Sequence, residues 1–224
     1  IQHIFFDLDH TLWDFEKNSA ATFQFIFKKL KVDFSLETFL EFYNPINHYY
    51  WKQYREYKIT EIELRFLRLE KTFNKMNVSF THELIDQFSE LYIQELSKNT
   101  ILFKDTVTVL EYLNLKYTLH IITNGFENVQ QKKLKNSGID HFFEVVLTAE
   151  KIGIKKPKPE IFIFALKSAN AQPEHALMIG DSLEADIQTP LKLGLQAIHF
   201  NSHNEHHHEE CLIIDKLMDL TNLL

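Results

Sequence analysis

The sequence predicts an α/β protein with a doubly wound, parallel-sheet core and an inserted all-α domain. Three observations support this prediction. A short apolar run near the N-terminus is typical of a buried strand, strand and helix patterns alternate from about residue 100, and only helical spacing occurs between about residues 15 and 97. Alternating strands and helices indicate a parallel sheet. The first strand joins that sheet, so the helical block is an insertion after it.

The first predicted strand is the run Ile4-Phe5-Phe6, which is followed by Asp7-Leu8-Asp9. A short, continuous apolar run that ends in polar residues is typical of a strand buried on both faces, as in a parallel sheet. This strand therefore belongs at the interior of the sheet.

The inserted block, residues 15–98, is predicted to contain about four helices and no strand. Asn18 or Ser19 is expected to cap the first helix, and Thr81 is expected to open a later one. Fourteen aromatic residues lie between Trp13 and Tyr57. We interpret them as the core of a small helical domain; alternatively, one or two line a pocket and stack on a substrate ring.

Beyond residue 100 we predict further strands at Tyr117–Ile122, Phe143–Leu147, Ala176–Ile179, Gln196–Phe200 and Leu212–Ile214. Helices are predicted between them at Val107–Leu115, Val129–Lys135, Glu160–Ala169 and Leu183–Leu193. Gly138 and Gly194 follow two of these helices, where a C-terminal cap favours glycine. Pro190 lies inside the last helix and either argues against it or kinks it.

The composition excludes several classes of protein. The formal net charge of −7 makes a nucleic acid polymer an unfavourable partner. The single cysteine, Cys211, rules out an internal disulfide. No uncharged stretch reaches the roughly 18 residues of a membrane span, and the first twelve residues do not resemble a signal peptide. We therefore expect a cytoplasmic protein without a membrane partner, either a monomer or a weak dimer.

Polar side chains follow the predicted strands, at the sheet edge where open α/β proteins bind their ligands. They are Asp7, Asp9, Thr123, Asn124, Lys156, Asp181 and Asp186. Several carboxylates in one place raise one another's pKa and stay ionised only beside a cation. Hard oxygen ligands suit Mg²⁺, and Lys156 would add a fixed positive charge. Such a site suits phosphoryl transfer to or from a small phosphorylated metabolite, in which an aspartate attacks phosphorus.

These residues occur in four segments that, in order and spacing, resemble the motifs of the haloacid dehalogenase-like hydrolases. The segments are Asp7-Leu8-Asp9-His10-Thr11-Leu12, Ile122-Thr123-Asn124-Gly125, Lys156-Pro157-Lys158-Pro159-Glu160-Ile161-Phe162 and Ile179-Gly180-Asp181-Ser182-Leu183-Glu184-Ala185-Asp186. The resemblance implies a Rossmann-like, three-layer core formed by residues 1–14 and 99–224. It also implies that residues 15–98 form a type-one helical cap, which closes over the core about hinges near 14–18 and 99–103.

The resemblance implies that Asp7 is the nucleophile and a Mg²⁺ ligand. Asp9 would protonate the leaving oxygen and then activate water, with its backbone carbonyl also facing the metal. Lys156 would neutralise the nucleophile and the phosphoryl group. The alternative is that Lys156 is a solvated surface lysine, with Lys151, Lys155 and Lys158 nearby as competing candidates for this role.

The remaining roles implied by the resemblance concern phosphoryl and metal binding. Thr123 and the backbone N–H of Asn124 would hold phosphoryl oxygens. Asp181 would bind the metal directly, and Asp186 would support the metal site or orient the lysine.

Two histidine features do not fit the motifs. His10 stands where the family usually has a small or acidic residue, and we expect it to be solvated or bonded to backbone. The run from His203 to His208 is expected to be a solvated loop, with adventitious binding of divalent ions as the alternative.

Asp9 favours phosphorus chemistry over dehalogenation, because an alkoxide leaving group needs a proton and a halide does not. The extended first motif and the aromatic cap resemble the bacterial 5′-nucleotidase branch. We therefore expect a magnesium-dependent phosphomonoesterase that forms an aspartyl-phosphate and acts on nucleoside monophosphates. The alternatives are a phosphatase of phosphoglycolate or a sugar phosphate, a phosphosugar mutase, and a non-enzymatic binding module, which is disfavoured because no motif residue is missing.

Overall fold

The computed structural model describes residues 1–224 and contains one six-stranded parallel sheet, which confirms the predicted fold class. Its strands are β1 (His3–Phe6), β2 (Thr118–Thr123), β3 (Phe143–Thr148), β4 (Ala176–Gly180), β5 (Gln196–Phe200) and β6 (Leu212–Ile214). The spatial order is β3-β2-β1-β4-β5-β6. Phe6 pairs with Ile121 on one side and with Ile179 on the other. The strand order reverses between β1 and β4, which is where such sheets bind ligands.

The chain divides into two compact units, one of Ile1–Phe15 with Thr100–Leu224 and the other of Glu16–Asn99. The second unit, the cap, is helical, with α1 (Phe15–Leu30), α2 (Leu36–Arg55), α3 (Glu61–Lys75) and α4 (His82–Leu96). None of the helices in either unit combines the length and apolar character needed to cross a bilayer.

Aromatic side chains form the interior of the cap. The Phe23 ring centroid lies 4.7 Å from those of Phe39, Tyr43 and Tyr92, and all four rings are buried. Offset and edge-to-face ring pairs of this kind add to the stabilisation gained from apolar burial. The high aromatic content of this part of the chain is therefore explained largely by the cap core.

One predicted helix cap in this unit is confirmed and one is wrong. Thr81 caps α4 by accepting a hydrogen bond from the Leu84 N–H at 3.2 Å. Helix α1, however, begins at Phe15, so Asn18 and Ser19 lie inside it. Both are buried because they face the cap interior, where the Ser19 hydroxyl lies 2.9 Å from that of Tyr92.

The core helices are α5 (Thr106–Asn114), α6 (Glu127–Asn136), α7 (Ala149–Ile152), α8 (Pro159–Ser168), α9 (Gln188–Lys192) and α10 (Leu220–Leu223). The predicted helix Leu183–Leu193 is helical as far as Lys192 but irregular, as Pro190 indicated. The chain forms a π-helical turn at Leu183–Ile187 and then α9, because Pro190 lacks the N–H that a continuous helix needs. Gly138 and Gly194 both have positive φ angles just after a helix, as predicted.

A buried histidine on β2 contacts a half-buried histidine on β1. His120 of β2 is fully buried, its ring stacks on Phe5 with a centroid distance of 4.6 Å, and its Nε2 is 3.1 Å from His3 Nδ1. Burial lowers the pKa of His120 from 6.5 to about 4, since the charged ring loses its hydration. His120 is therefore neutral in the folded protein at neutral pH.

This shift predicts a pH-dependent loss of stability. Between pH 6.5 and about pH 4, the unfolded chain takes up a proton at His120 and the folded chain does not, so acidification favours unfolding. At pH 4 this proton uptake lowers the free energy of unfolding by about 3 kcal/mol. We expect His120→Phe to remove it, so that the free energy of unfolding of the variant falls less than that of the wild type between pH 7 and pH 4. If denaturant titrations show that the free energy of unfolding falls equally with pH in the two proteins, the prediction is contradicted.

Candidate active site

Three carboxylates meet where β1 and β4 end. The Asp7 N–H donates to the Ile179 carbonyl at 2.9 Å, which ties the end of β1 to β4. Asp7, Asp181 and Asp186 each offer a carboxylate oxygen, and these oxygens lie within 4.8 Å of one another. The structure thus brings together three of the side chains that the motifs singled out.

Lys156 is the lysine that reaches this cluster. Its Nζ lies 2.7 Å from Asp7 Oδ1 and 2.6 Å from Asp186 Oδ1, and its side chain is 2% exposed. Asn124 holds the backbone of Lys156 from both sides: its Oδ1 accepts from the Lys156 N–H at 2.8 Å, and its Nδ2 donates to the Lys156 carbonyl at 3.0 Å. The Asn124 side chain of the second motif therefore positions the backbone of Lys156 in the third motif.

The cluster carries more negative than positive charge. Burial raises the pKa of Asp7 well above its ordinary value, which Lys156 opposes and the neighbouring carboxylates reinforce. Burial likewise raises the pKa of Asp186. Burial disfavours charged Lys156, but Asp186 and Asp7 outweigh it and raise the lysine pKa. Three carboxylates beside one ammonium leave room for a divalent cation, and the hard oxygen donors fit Mg²⁺.

The two oxygens of Asp186 are already engaged. Oδ1 accepts from Lys156, and Oδ2 accepts from the Ser182 N–H at 3.1 Å. Gly180 makes this possible, because a Cβ at that position would lie 2.4 Å from the Asp186 Cγ. This arrangement favours Asp186 as the residue that orients Lys156.

His203, His206 and His207 of the histidine loop are exposed, as expected, but the loop also contacts the acidic cluster. His203 Nε2 lies 3.1 Å from Asp181 Oδ2, and His199 Nε2 lies 2.7 Å from the Asp181 carbonyl oxygen. His208 in turn bonds to His199 at 2.8 Å. Burial opposes ionisation of Asp181, but the His203 hydrogen bond and nearby positive charges lower the pKa of Asp181. The loop returns to the site because it follows β5, which lies next to β4.

The main chain of His10 makes a backbone hydrogen bond, and its half-buried ring packs on neighbouring rings. Its N–H donates to the Trp13 carbonyl at 3.0 Å, and its φ of 64° lies in the left-handed region. Its ring packs against His203 with a centroid distance of 4.7 Å. Thr11, next in the motif, donates to Asp181 Oδ1 at 3.3 Å and so links the first motif to the fourth.

The structure shows two site residues that sequence reasoning missed. Lys133 Nζ lies 2.6 Å from Asp9 Oδ1, and Gln130 Nε2 lies 2.9 Å from Asp9 Oδ2. Both side chains come from α6, the helix that follows the second motif. The same Gln130 nitrogen donates to Thr123 Oγ1 at 2.7 Å, and the Gly125 N–H donates to that oxygen at 3.1 Å. The Thr123 hydroxyl therefore accepts two hydrogen bonds and retains its own proton for donation.

The comparisons with known proteins identify the family of the chain. Residues 4–200 match the family model of the haloacid dehalogenase-like hydrolases. The chain is 31% identical to pyrimidine 5′-nucleotidase YjjG of Escherichia coli K12, over 90% of this chain and 86% of that protein. It is 28% identical to pyrimidine 5′-nucleotidase PynA of Streptococcus pneumoniae R6, over 92% and 86% of the two chains.

A solved structure and some archaeal relatives extend the comparison. The crystal structure of the HAD-hydrolase YfnB from Bacillus subtilis, described as bound to magnesium, has a TM-score of 0.89 and 26% identity, covering 99% of this chain and 97% of its own. Relatives from archaea are named glyceraldehyde 3-phosphate phosphatases. The chain belongs to the haloacid dehalogenase-like hydrolases, and it is a phosphatase of that family.

Proposed function

We propose that the protein is a magnesium-dependent phosphomonoesterase that forms an aspartyl-phosphate on Asp7 and acts as a 5′-nucleotidase on nucleoside monophosphates. The observation that carries this proposal is the position of Asp7. Its carboxylate lies at the end of the central strand, in contact with the buried ammonium of Lys156. The Asp9 carboxylate instead contacts Lys133 and Gln130 of α6. In this proposal Asp7 would attack phosphorus and Asp9 would transfer protons.

Asp7 and Asp181, with the backbone carbonyl of Asp9, would hold the Mg²⁺, and Asp186 would support the site through Lys156. The bound ion supplies positive charge against the phosphoryl oxygens and allows the clustered carboxylates to stay ionised. Lys156 contributes a second, permanent positive charge on the same side.

In the first step, a carboxylate oxygen of Asp7 attacks phosphorus, and the bond from phosphorus to the ester oxygen breaks. Asp9 gives its proton to that oxygen, which leaves as an alcohol. In the second step, Asp9 takes a proton from water, whose oxygen attacks the phosphorus of the aspartyl-phosphate and frees Asp7. Throughout, Thr123 and the Asn124 N–H would donate to the phosphoryl oxygens.

The nucleotide as substrate is supported by the names of the two bacterial relatives. The aromatic rings of the cap give weaker support, because most of them pack on one another. Phe25 and Tyr49 remain substantially exposed, and one of them would stack on a base, which is worth roughly 1–3 kcal/mol per base. Such stacking would give a preference among phosphate esters.

A substrate panel tests the nucleotidase proposal. With Mg²⁺ present, we expect kcat/KM for dUMP, dTMP or UMP to exceed that for phosphoglycolate and glucose 1-phosphate by at least about tenfold, the ratio that one stacked base supplies. EDTA should abolish turnover of every substrate. Clearly faster turnover of the non-nucleotides would contradict the nucleotidase proposal and leave the phosphatase chemistry standing.

The second candidate is a phosphatase of a small phosphometabolite, which the archaeal relatives favour through their naming as glyceraldehyde 3-phosphate phosphatases. Glyceraldehyde 3-phosphate belongs in the same panel for that reason. A phosphosugar mutase is tested in parallel: conversion of glucose 1-phosphate into glucose 6-phosphate, instead of release of inorganic phosphate, would identify it.

A further inference from the structure

Helix α6 holds the Asp9 carboxylate at both of its oxygens. Lys133 contacts Oδ1 at 2.6 Å and Gln130 contacts Oδ2 at 2.9 Å. Residues three positions apart lie on the same helix face, so one face of α6 presents both side chains. We propose that Gln130 and Lys133 are the positioning residues of Asp9, holding its carboxylate where it exchanges protons with the leaving oxygen and with water. This inference rests on the proposed function, in which Asp9 moves those protons.

The Lys133 side chain is buried, and its ammonium forms a salt bridge with the Asp9 carboxylate. Its side chain is 2% exposed, and Asp9 is the carboxylate within salt-bridge distance. The ring faces of Trp13 and Phe15 cover the ammonium, with centroids 4.2 and 5.4 Å from Nζ. Aromatic faces stabilise a cation without competing for a salt bridge. Breaking a buried charge pair leaves a charge uncompensated, so Lys133 and Asp9 constrain each other.

Gln130 fixes the second oxygen and joins two motifs. Its Nε2 donates both to Asp9 and to Thr123, whereas its Oε1 is buried without a partner. The reverse amide orientation would direct that oxygen at the Asp9 carboxylate, so the observed orientation follows from electrostatics. Gly125 makes the approach possible, because a Cβ there would lie 2.4 Å from the Gln130 amide. The proton-transfer residue and the phosphoryl-binding hydroxyl are therefore located by the same side chain.

Proton transfer by Asp9 requires that its carboxylate be held in a fixed position. A general acid or base must lie within hydrogen-bond reach of the atom it serves, and a displacement of 1 Å costs on the order of 10²-fold in rate. Asp9 follows a strand end and is about a fifth exposed, so a carboxylate without lateral support would sample several rotamers. The two contacts from α6 restrict it to one.

The first test compares Lys133→Met with Lys132→Met, which removes an exposed lysine from the neighbouring position of α6. With dUMP and Mg²⁺, we expect Lys133→Met to lower kcat by about 10²-fold with KM changed less than about threefold. Lys132→Met should behave as the wild type. Lys133→Arg keeps the cation and should recover kcat to within about tenfold of the wild type. Gln130→Leu introduces no charge and should lower kcat even if Lys133→Met does not fold.

The second test separates positioning from general damage to the site. The dinitrophenolate of 2,4-dinitrophenyl phosphate leaves without a proton, so formation of the aspartyl-phosphate should not depend on Asp9 placement. We expect Lys133→Met to show a burst of dinitrophenolate at the wild-type rate, followed by a steady-state rate lowered by about 10²-fold. Gln130→Leu also removes the hydrogen bond to Thr123, so this test uses Lys133→Met. A merely structural role would lower the burst rate and the steady-state rate in proportion.

Two results would overturn the inference: dUMP turnover within threefold of the wild type in both variants, or burst and steady-state rates that fall together. Asp9→Asn, assayed beside them, distinguishes this failure from failure of the proposed function. If Asp9→Asn keeps wild-type turnover of dUMP, Asp9 moves no proton and the proposed function fails. If Asp9→Asn is inactive while both α6 variants are active, only the positioning inference fails.

Discussion

Asparagine in place of Asp7 is expected to lower phosphate release from nucleoside monophosphates by at least about 10⁴-fold, because an amide cannot form the aspartyl-phosphate. The fold should survive. Burial and the neighbouring carboxylates raise the pKa of Asp7, so its ionised form destabilises the folded chain. A neutral side chain of the same shape removes that repulsion. We therefore expect an unchanged or higher Tm without added Mg²⁺, measured by thermal unfolding beside the activity assay.

Asp140→Asn is the matched control, because Asp140 is an exposed aspartate of the core unit that lies outside the four motifs. It should leave both turnover and Tm unchanged. Substantial turnover by Asp7→Asn would remove Asp7 from the role of nucleophile. A collapse of Tm would instead mean that Asp7 supports the fold.

Methionine in place of Lys156 is expected to affect stability and activity together. The ammonium bridges Asp7 and Asp186, and its loss leaves three clustered carboxylates without a cation. Removing one partner of a buried pair costs about 3–5 kcal/mol, and denaturant unfolding measures this. Phosphate release should fall by at least about 10³-fold, because both the nucleophile and the phosphoryl group lose their fixed counter-charge.

The double variant Lys156→Met with Asp186→Asn separates the two effects. It should regain part of the lost stability, since one of the unpaired carboxylates is gone, but none of the lost activity. Lys151→Met, at an exposed lysine of α7, should change neither quantity. A Lys156→Met variant as stable as the wild type would mean that the carboxylates do not depend on that ammonium.

The sequence was informative about the fold and the acidic cluster because both depend on strand ends. A parallel sheet brings the carboxyl ends of its strands to one edge, so Asp7 and Asp181 could be grouped once β1 and β4 were recognised. Lys156 was distinguished from its neighbours by resemblance alone. The structure supplies the physical reason, which is the pair of hydrogen bonds between the Asn124 side chain and the Lys156 backbone.

The residues that hold Asp9 were not predicted, because polar side chains in a polar helix resemble a solvated face. Helix α6 reads ENVQQKKLKN, in which only Val129 and Leu134 are apolar. The helical spacing of these residues nevertheless indicated which polar side chains are buried. Lys133 is four residues after Val129, and Gln130 is four residues before Leu134, so both polar residues share the face of the apolar pair. All four are buried in the structure.

The contacts of the histidine loop were also beyond prediction. The loop has no periodicity that would orient its side chains, and its approach to Asp181 depends on the pairing of β5 with β4. The division of the predicted helix at Leu183–Leu193 could be anticipated only in part, because Pro190 indicates an interruption without fixing its place.

A crystal structure of the protein with Mg²⁺ and beryllofluoride tests the central claim most directly, because beryllofluoride mimics a phosphoryl group bonded to a carboxylate. The account predicts beryllium bonded to an Asp7 carboxylate oxygen, with Thr123 and Lys156 donating to the fluorides. Beryllofluoride bonded to another side chain, or bound away from Asp7, would contradict it.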